Sequence, residues 1–315
     1  MGDELKEAAE LDVVVKEILA LDPDGLRCAS VLRETIDQLY DGQRTGRYRW
    51  DQLFKTEKTH CGTLVEINLQ REFRFEDGKH LDYSLLGIEV DCKYSQRLGG
   101  WMIPPEAREG LCMVVWAEDT NEPKWSLGIV RAKEKYLNRG NNRDAKATLN
   151  SEGRKSIRWL WDKSPLHPNV LLQLEPDTVA NLMALNSGQK RINELFRVAQ
   201  KMIVGRAVVA TVAQQKDPMK RVRANGGARS RLRGEGLLVL GQYKSHQEIA
   251  ADLGIPVPGT GDTISVRVTR AKSNGPGVSM IDGGFWRVAD DNDPIDEAPL
   301  LPKPTRLESR QAGED

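Results

Sequence analysis

The chain has 315 residues, long enough for two domains of ordinary size, each with its own core. Its 46 basic and 46 acidic side chains cancel, and a hydrophobic fraction of 39% is that of a soluble globular protein. No apolar run reaches the roughly 18 residues of a membrane span, and the acidic start MGDELKEAAELD lacks the basic flank and apolar stretch of a signal peptide.

The four cysteines, Cys28, Cys61, Cys92 and Cys112, are far apart with no CxxC pair, and the four histidines are scattered. This pattern argues against a zinc site or a disulfide framework and points to a reducing cytoplasm. The balanced charge is segregated along the chain. Residues 1–40 carry ten acids against four bases, and residues 189–245 carry thirteen bases against three acids. The last 29 residues return to eight acids against four bases. A basic belt between acidic ends predicts a polyanion site.

In chain order, residues 4–20 and 26–40 have helical patterning, separated by the turn residues LDPDG (21–25). The second stretch runs into LYDGQR (39–44), which would be the K-x-D-G-x-R adenylation motif of DNA ligases if Leu39 were a lysine. Ligation needs that amine as nucleophile, so Leu39, Asp41, Gly42 and Arg44 are expected to form a helix end and a turn. A basic, aromatic segment follows, with Arg44, Arg47, Arg49, Lys55 and Lys58 as candidate phosphate contacts. A helix over about 57–72 is followed by β-like runs at FRFED, HLDYS, IEVDCKYS, LCMVVWAED and WSLGIVRAK, the fourth nearly all apolar and therefore central. Residues 143–162 are expected to be helical and to close a first domain (1–162), with a linker at 163–169 and a second domain at 170–315.

In the second domain, helical stretches at 175–186 and 188–205 flank Asn186-Ser187-Gly188, a spacing compatible with a helix-turn-helix. The loop NGGARSRLRGEG and the strand LLVLGQY come next, suggesting a winged helix. SHQEIAADLGI (245–255) imitates a helix-turn-helix, but the following Pro-Val-Pro-Gly excludes a recognition helix, so a structural helix is expected. Two more β-like runs lie within 261–288, and the Pro-rich acidic tail from 290 is expected to be extended. Across 220–233, Lys220, Arg221, Arg223, Arg229, Arg231 and Arg233 face no acid in sequence and are candidates for DNA contacts.

The chemistry is concentrated in DYSLLGIEVDCKYS. Strand alternation puts Asp91 and Lys93 on one face and Cys92 on the other. A turn at LLG would bring Asp82 beside Asp91. Two carboxylates converging with the Cys92 backbone carbonyl make a hard oxygen site suited to Mg²⁺, and Lys93 could orient water or steady charge on a phosphate. Glu66, on the preceding helix, offers a further carboxylate. Helical Glu, then Asp, then Asp-x-Lys on a hairpin is the order of PD-(D/E)xK nucleases. Two other readings remain at this point: a helix-turn-helix DNA-binding regulator, which leaves these four residues without a purpose, and a ligase-related nucleotidyltransferase lacking its lysine.

LDPDG, LYDGQRTGR, QLFKTEKTHCGTLVEINL, VDCK, GRAVVATVAQQ, MKRVR, GGARSRL and LGIPVP run in order through most of the chain, which closely resembles the NaeI family of type IIE restriction endonucleases. The resemblance implies a mixed α/β fold: an N-terminal restriction-endonuclease-like core and a C-terminal CAP-like winged helix-turn-helix domain. It implies a homodimer that cuts double-stranded DNA with Mg²⁺ in the centre of GCCGGC, activated by a second copy of the site bound as effector. The family's catalytic residues fall on Glu66, Asp82, Asp91 and Lys93, and such enzymes accompany a cognate DNA methyltransferase.

Overall fold

Contacts in the computed structural model, which describes residues 2–138, 144–305 and 308, divide the chain into two units. One comprises Met1–Leu39 and Trp50–His167; the other comprises Tyr40–Arg49 and Pro168–Asp315.

In the first unit, α1 (Gly2–Leu21) ends at Asp22-Pro23 and α2 (Leu26–Tyr40) begins after Gly25. The Asp22 carboxylate accepts the N–H groups of Arg27 (3.2 Å) and Cys28 (2.9 Å), satisfying two donors that a helix start leaves open. Gly25 has φ 76°, and a Cβ there would lie 2.7 Å from the Trp161 ring, so both conformation and space demand glycine. The tetrapeptide helix α3 (Gly42–Thr45) and then α4 (Lys55–Phe73) follow. Glu57 reaches back 2.8 Å to the Phe54 N–H at the start of α4. Arg27 locks α2 to α4, with Nε 2.7 Å from Glu72 and its guanidinium 4.5 Å above the Phe73 ring.

The sheet of this unit runs β1 (Glu76–Asp77), β2 (Tyr83–Leu85), β3 (Ile88–Ser95), β4 (Leu111–Glu118), β5 (Lys124–Arg131) and, after the short helix α5 (Ser151–Lys155), β6 (Arg158–Pro165), in spatial order β1-β2-β3-β4-β5-β6. All pairs are antiparallel except β3 with β4. β4 is buried along its length save Glu118, as its near-continuous apolar run requires.

Three expectations are corrected here. FRFED is not a strand throughout: Phe73 ends α4, Arg74 is left-handed (φ 56°), and β1 is only Glu76–Asp77. Of the helix expected over 143–162, Arg143 lies outside the described residues and α5 spans only Ser151–Lys155. Residues 144–150 carry only isolated bridges at Ala147 and Leu149, and from Arg158 the chain is β6, because Trp161 packs on Trp125 (ring centroids 5.4 Å) and backbone pairing to β5 outweighs local propensity. β6 also occupies the start of the expected linker; Pro165 is tolerated because the strand is an edge.

In the second unit, α6 (Pro176–Ala184) and α7 (Gly188–Val198) precede β7 (Val204–Gly205), α8 (Arg206–Ala213), α9 (Ala228–Arg231), β8 (Leu237–Gly241), α10 (Lys244–Asp252), β9 (Asp262–Arg270), β10 (Val278–Ile281) and β11 (Gly284–Val288). The helix expected over 188–205 therefore stops at Val198. β9 is the spine of the sheet: β8 pairs along one edge, and β7 and β11 share the other. Val179, Leu182, Ile192, Leu195, Phe196, Val209 and Val212 bury one side of it. On α10, Ile249 and Ala250 pack with Ile264, Val266 and Trp286, as expected of a structural helix. Residues 289–305 carry no regular element; 306, 307 and 309–315 of the acidic tail lie outside the described residues.

The segment Tyr40–Arg49, expected in the first domain, packs in this unit. Asp41 (φ 45°) and Gly46 (φ 73°) reverse the chain on either side of α3. Gln43 Nε2 donates to the Gln215 carbonyl at 2.6 Å. Gly42 is so close to α8 that a Cβ would stand 2.0 Å from Thr211 Oγ1. LYDGQR is thus a helix end and turn, with Leu39 buried.

Candidate active site

β2 and β3 are joined at Leu86-Gly87, with φ 50° and 79°, the doubly left-handed turn whose twist matches a two-residue hairpin. Tyr83 pairs with Val90 and Leu85 with Ile88; continuing that register by one residue sets Asp82 opposite Asp91. Three oxygens then converge on one cation. The Lys93 ammonium donates to Asp91 Oδ1 at 2.8 Å, to the Cys92 carbonyl at 3.0 Å and to Asp82 Oδ2 at 3.3 Å. The Cys92 N–H donates to Asp82 Oδ2 at 2.7 Å, which fixes that carboxylate against β3. On the parallel neighbour β4, Cys112 is the register partner of Asp91, its Sγ 3.9 Å from Asp91 Oδ2.

Asp91 is only 3% exposed. Burial pushes its carboxyl up to about 6, against the opposing pull of Lys93. For Lys93, burial alone would lower the ammonium, but the Asp91 and Asp82 charges outweigh it and hold the pKa above the usual lysine range. Half-buried Glu66, on α4, is also raised, first by burial and then by the Asp82 charge. Among the described residues no three His, Cys, Asp or Glu side chains gather as a metal cage. Glu66 therefore stands beside the two aspartates and does not close a three-carboxylate cluster with them.

The donor set fits a magnesium ion in kind. Two carboxylates and a carbonyl are hard oxygens, and they already meet on a positive charge. Cys28, Cys61, Cys92 and Cys112 are all buried thiols, and the Cys92 thiol is pushed up to about 12 by burial, so it brings no thiolate to the site.

The basic candidates divide by how far the fold already uses them. Arg44 is exposed, 3.5 Å from Asp41. Arg47 Nε donates to the Tyr40 carbonyl (3.2 Å), and Arg49 lies over the Tyr48 ring (5.7 Å). Lys55 is exposed and Lys58 half-buried on the first turn of α4. Lys220 and Arg231 are exposed, whereas Arg221, Arg223, Arg229 and Arg233 are half-buried. Arg221 Nε donates to Gln215 Oε1 (2.5 Å), Arg229 Nε to the Val239 carbonyl (3.0 Å) and Arg233 Nε to the Ala298 carbonyl (2.9 Å). On α7, the Arg191 guanidinium caps the carbonyls of Leu185, Val212 and Ala213, so it serves the fold.

Sequence reading passed over Tyr83 and Cys112, which touch the site's elements. Their apolar, alternating context marks them as core; only the neighbouring α4 and β4 show what their polar atoms meet.

A mixed α/β chain with two sheets and a hairpin carrying two aspartates and a lysine has the architecture of a restriction-endonuclease fold. The family model for restriction endonuclease NaeI matches residues 12–297. The type II restriction enzyme NaeI of Lentzea aerocolonigenes is 48% identical over 302 residues, covering 93% of this chain and 95% of that protein. The chain belongs to the NaeI restriction endonuclease family, and with it to the type II site-specific deoxyribonucleases. Restriction endonucleases act on double-stranded DNA. Among the described residues no helix is long and apolar enough to cross a membrane.

Proposed function

We propose that this chain hydrolyses double-stranded DNA at a palindrome with Mg²⁺ held by Asp82, Asp91 and the Cys92 carbonyl, with Glu66 on the flank. The observation that carries the reading is the convergence of those three oxygens on the Lys93 ammonium. A bound Mg²⁺ supplies a Lewis acid that acidifies water and offsets charge on the scissile phosphate. Lys93 orients the attacking water and steadies negative charge as it develops on the phosphate. Asp91 must be ionised to act, and the Cys92 N–H keeps Asp82 turned toward it.

The second unit is the DNA-binding and effector domain in this reading. What supports a winged helix is the strand order: β7 and β8 flank β9, and α8, the basic segment 217–232 and α9 are spliced between them. The reading element is then the segment after α8, with Lys220 and Arg231 as its exposed cations, and not α7, whose Arg191 caps backbone carbonyls and whose Arg197 pairs with Glu194 and Glu235. The family resemblance supports GCCGGC with a central cut, activation by a second copy of the site, a homodimer, and a cognate methyltransferase that protects the same sequence.

Incubating plasmid with protein and Mg²⁺ tests the reading. Discrete fragments are expected, and their ends give the site and the cut position. Asp91→Ala is expected to abolish cleavage and to keep duplex binding in Ca²⁺. Normal Mg²⁺-dependent cleavage by that variant would sink the site assignment, and retarded but intact plasmid with the wild type would favour a regulator.

A further inference from the structure

Tyr83 follows Asp82 directly, yet it points away from the two aspartates into the core, where it is fully buried. Its hydroxyl donates to the backbone carbonyl of Glu66 at 2.7 Å. A helix carbonyl has a second lone pair to take such a bond without breaking the helix. Cys92, two residues along β3 from Val90, the register partner of Tyr83, lies on the same face of the sheet and is likewise buried. The ring is held by Phe75 (centroids 5.3 Å), itself stacked on Phe73 at the end of α4 (5.4 Å). Both ends of the hydroxyl–carbonyl bond belong to the site: Tyr83 lies beside Asp82 in sequence, and the acceptor is Glu66 itself.

We propose that Tyr83 is a positioning residue, which pins α4 to the β2–β3 hairpin and so sets where the Glu66 carboxylate stands relative to Asp82, Asp91 and Lys93. The inference rests on the proposed nuclease site. Glu66 is on a different element from the other three, and its own backbone carbonyl ties that element to the hairpin. A lost hydroxyl lets α4 shift by a fraction of an ångström. Outer contacts of this kind are typically worth about 10- to 100-fold in metal affinity or activity.

The test is a double-mutant cycle between Tyr83→Phe, which keeps the ring and removes only the hydroxyl, and Glu66→Gln. For Tyr83→Phe the expected result is a kcat lower by about tenfold and a Mn²⁺ affinity, measured calorimetrically without DNA, weaker by a similar factor. KM and duplex affinity in Ca²⁺ should stay as in the wild type. In the Glu66→Gln background, Tyr83→Phe is expected to have no further effect. A further tenfold loss there means Tyr83 acts by another route and overturns the proposal, as does a Tyr83→Phe variant with wild-type kcat and Mn²⁺ affinity. Wild-type cleavage by Glu66→Gln removes Glu66 from the site and the positioning role with it. The nuclease reading itself fails separately, if the wild type does not cut in Mg²⁺.

Discussion

Asp91 shows how one side chain carries both a cost and a use. Its carboxyl, raised to about 6 by burial, holds a proton more tightly in the folded chain than in the unfolded one. That contribution to stability is present below the ordinary value of 3.8 and is lost as pH rises through about 6. At neutral pH the charged form persists because Lys93 lies 2.8 Å away. If Asp91 holds Mg²⁺ as proposed, protons and the metal compete for its oxygen, so the Mg²⁺ concentration for half-maximal cleavage should climb as pH falls below about 6. Mg²⁺ titrations of cleavage at about pH 5.5 and about pH 7.5, on either side of that value, measure it; a constant requirement would exclude Asp91 from metal binding. His246 provides the opposite sign. Burial first, and then the Arg229 charge, lower its pKa from 6.5 to about 4, while Nδ1 accepts the Gly241 N–H at 3.1 Å. The neutral ring stabilises the second unit fully above 6.5, and that stability is lost as pH falls toward 4. The loss is about 3 kcal/mol at most. Urea unfolding across this range should show a slope that His246→Gln flattens.

At the scale of elements, the turn after α2 is where local and distant forces meet. Asp-Gly is a strong turn signal by itself, and Asp41 and Gly46 both adopt left-handed φ as such a turn requires. What Gly42 answers to is different: its φ is not left-handed, and the constraint is Thr211 on α8. Gly42→Ala is therefore expected to destabilise the second unit by about 1–3 kcal/mol through overpacking, read as a lower urea midpoint with an unchanged slope. Gly87→Ala in the hairpin is the complementary case. A Cβ there meets nothing within 4 Å, so its cost is the positive φ alone, about 1 kcal/mol.

For the whole molecule, the segregated charge matters through what the fold leaves exposed. Arg191, Arg229 and Arg233 are held by backbone carbonyls and at least half-buried, while Lys220 and Arg231 are exposed; Arg231 Nε donates to the Gly226 carbonyl at 2.6 Å, yet the side chain stays open to solvent at the end of α9. Duplex affinity should fall steeply with salt, and Arg231→Ala should weaken binding of the effector duplex and reduce the slope of log affinity against log salt by about 1. Filter binding or fluorescence anisotropy at several salt concentrations measures this. Stimulation by added site-bearing duplex that is unchanged in Arg231→Ala would remove this residue from effector binding.

Read without a fold, the chain already contains its turns, the central strand β4, the hairpin and the two aspartates with Lys93, because each depends on neighbours within a few residues. Strand alternation and an LLG turn are enough to bring Asp82 to Asp91. Other features needed the tertiary structure. β6 is a strand because β5 and Trp125 pair with it, although its own residues are compatible with helix. Tyr40–Arg49 joins the second unit because α8 accepts Gly42, a contact some 170 positions away in sequence. The Tyr83–Glu66 bond and the division of the arginines into structural and exposed follow the same logic. Their partners come from distant segments, and local spacing carries no record of them.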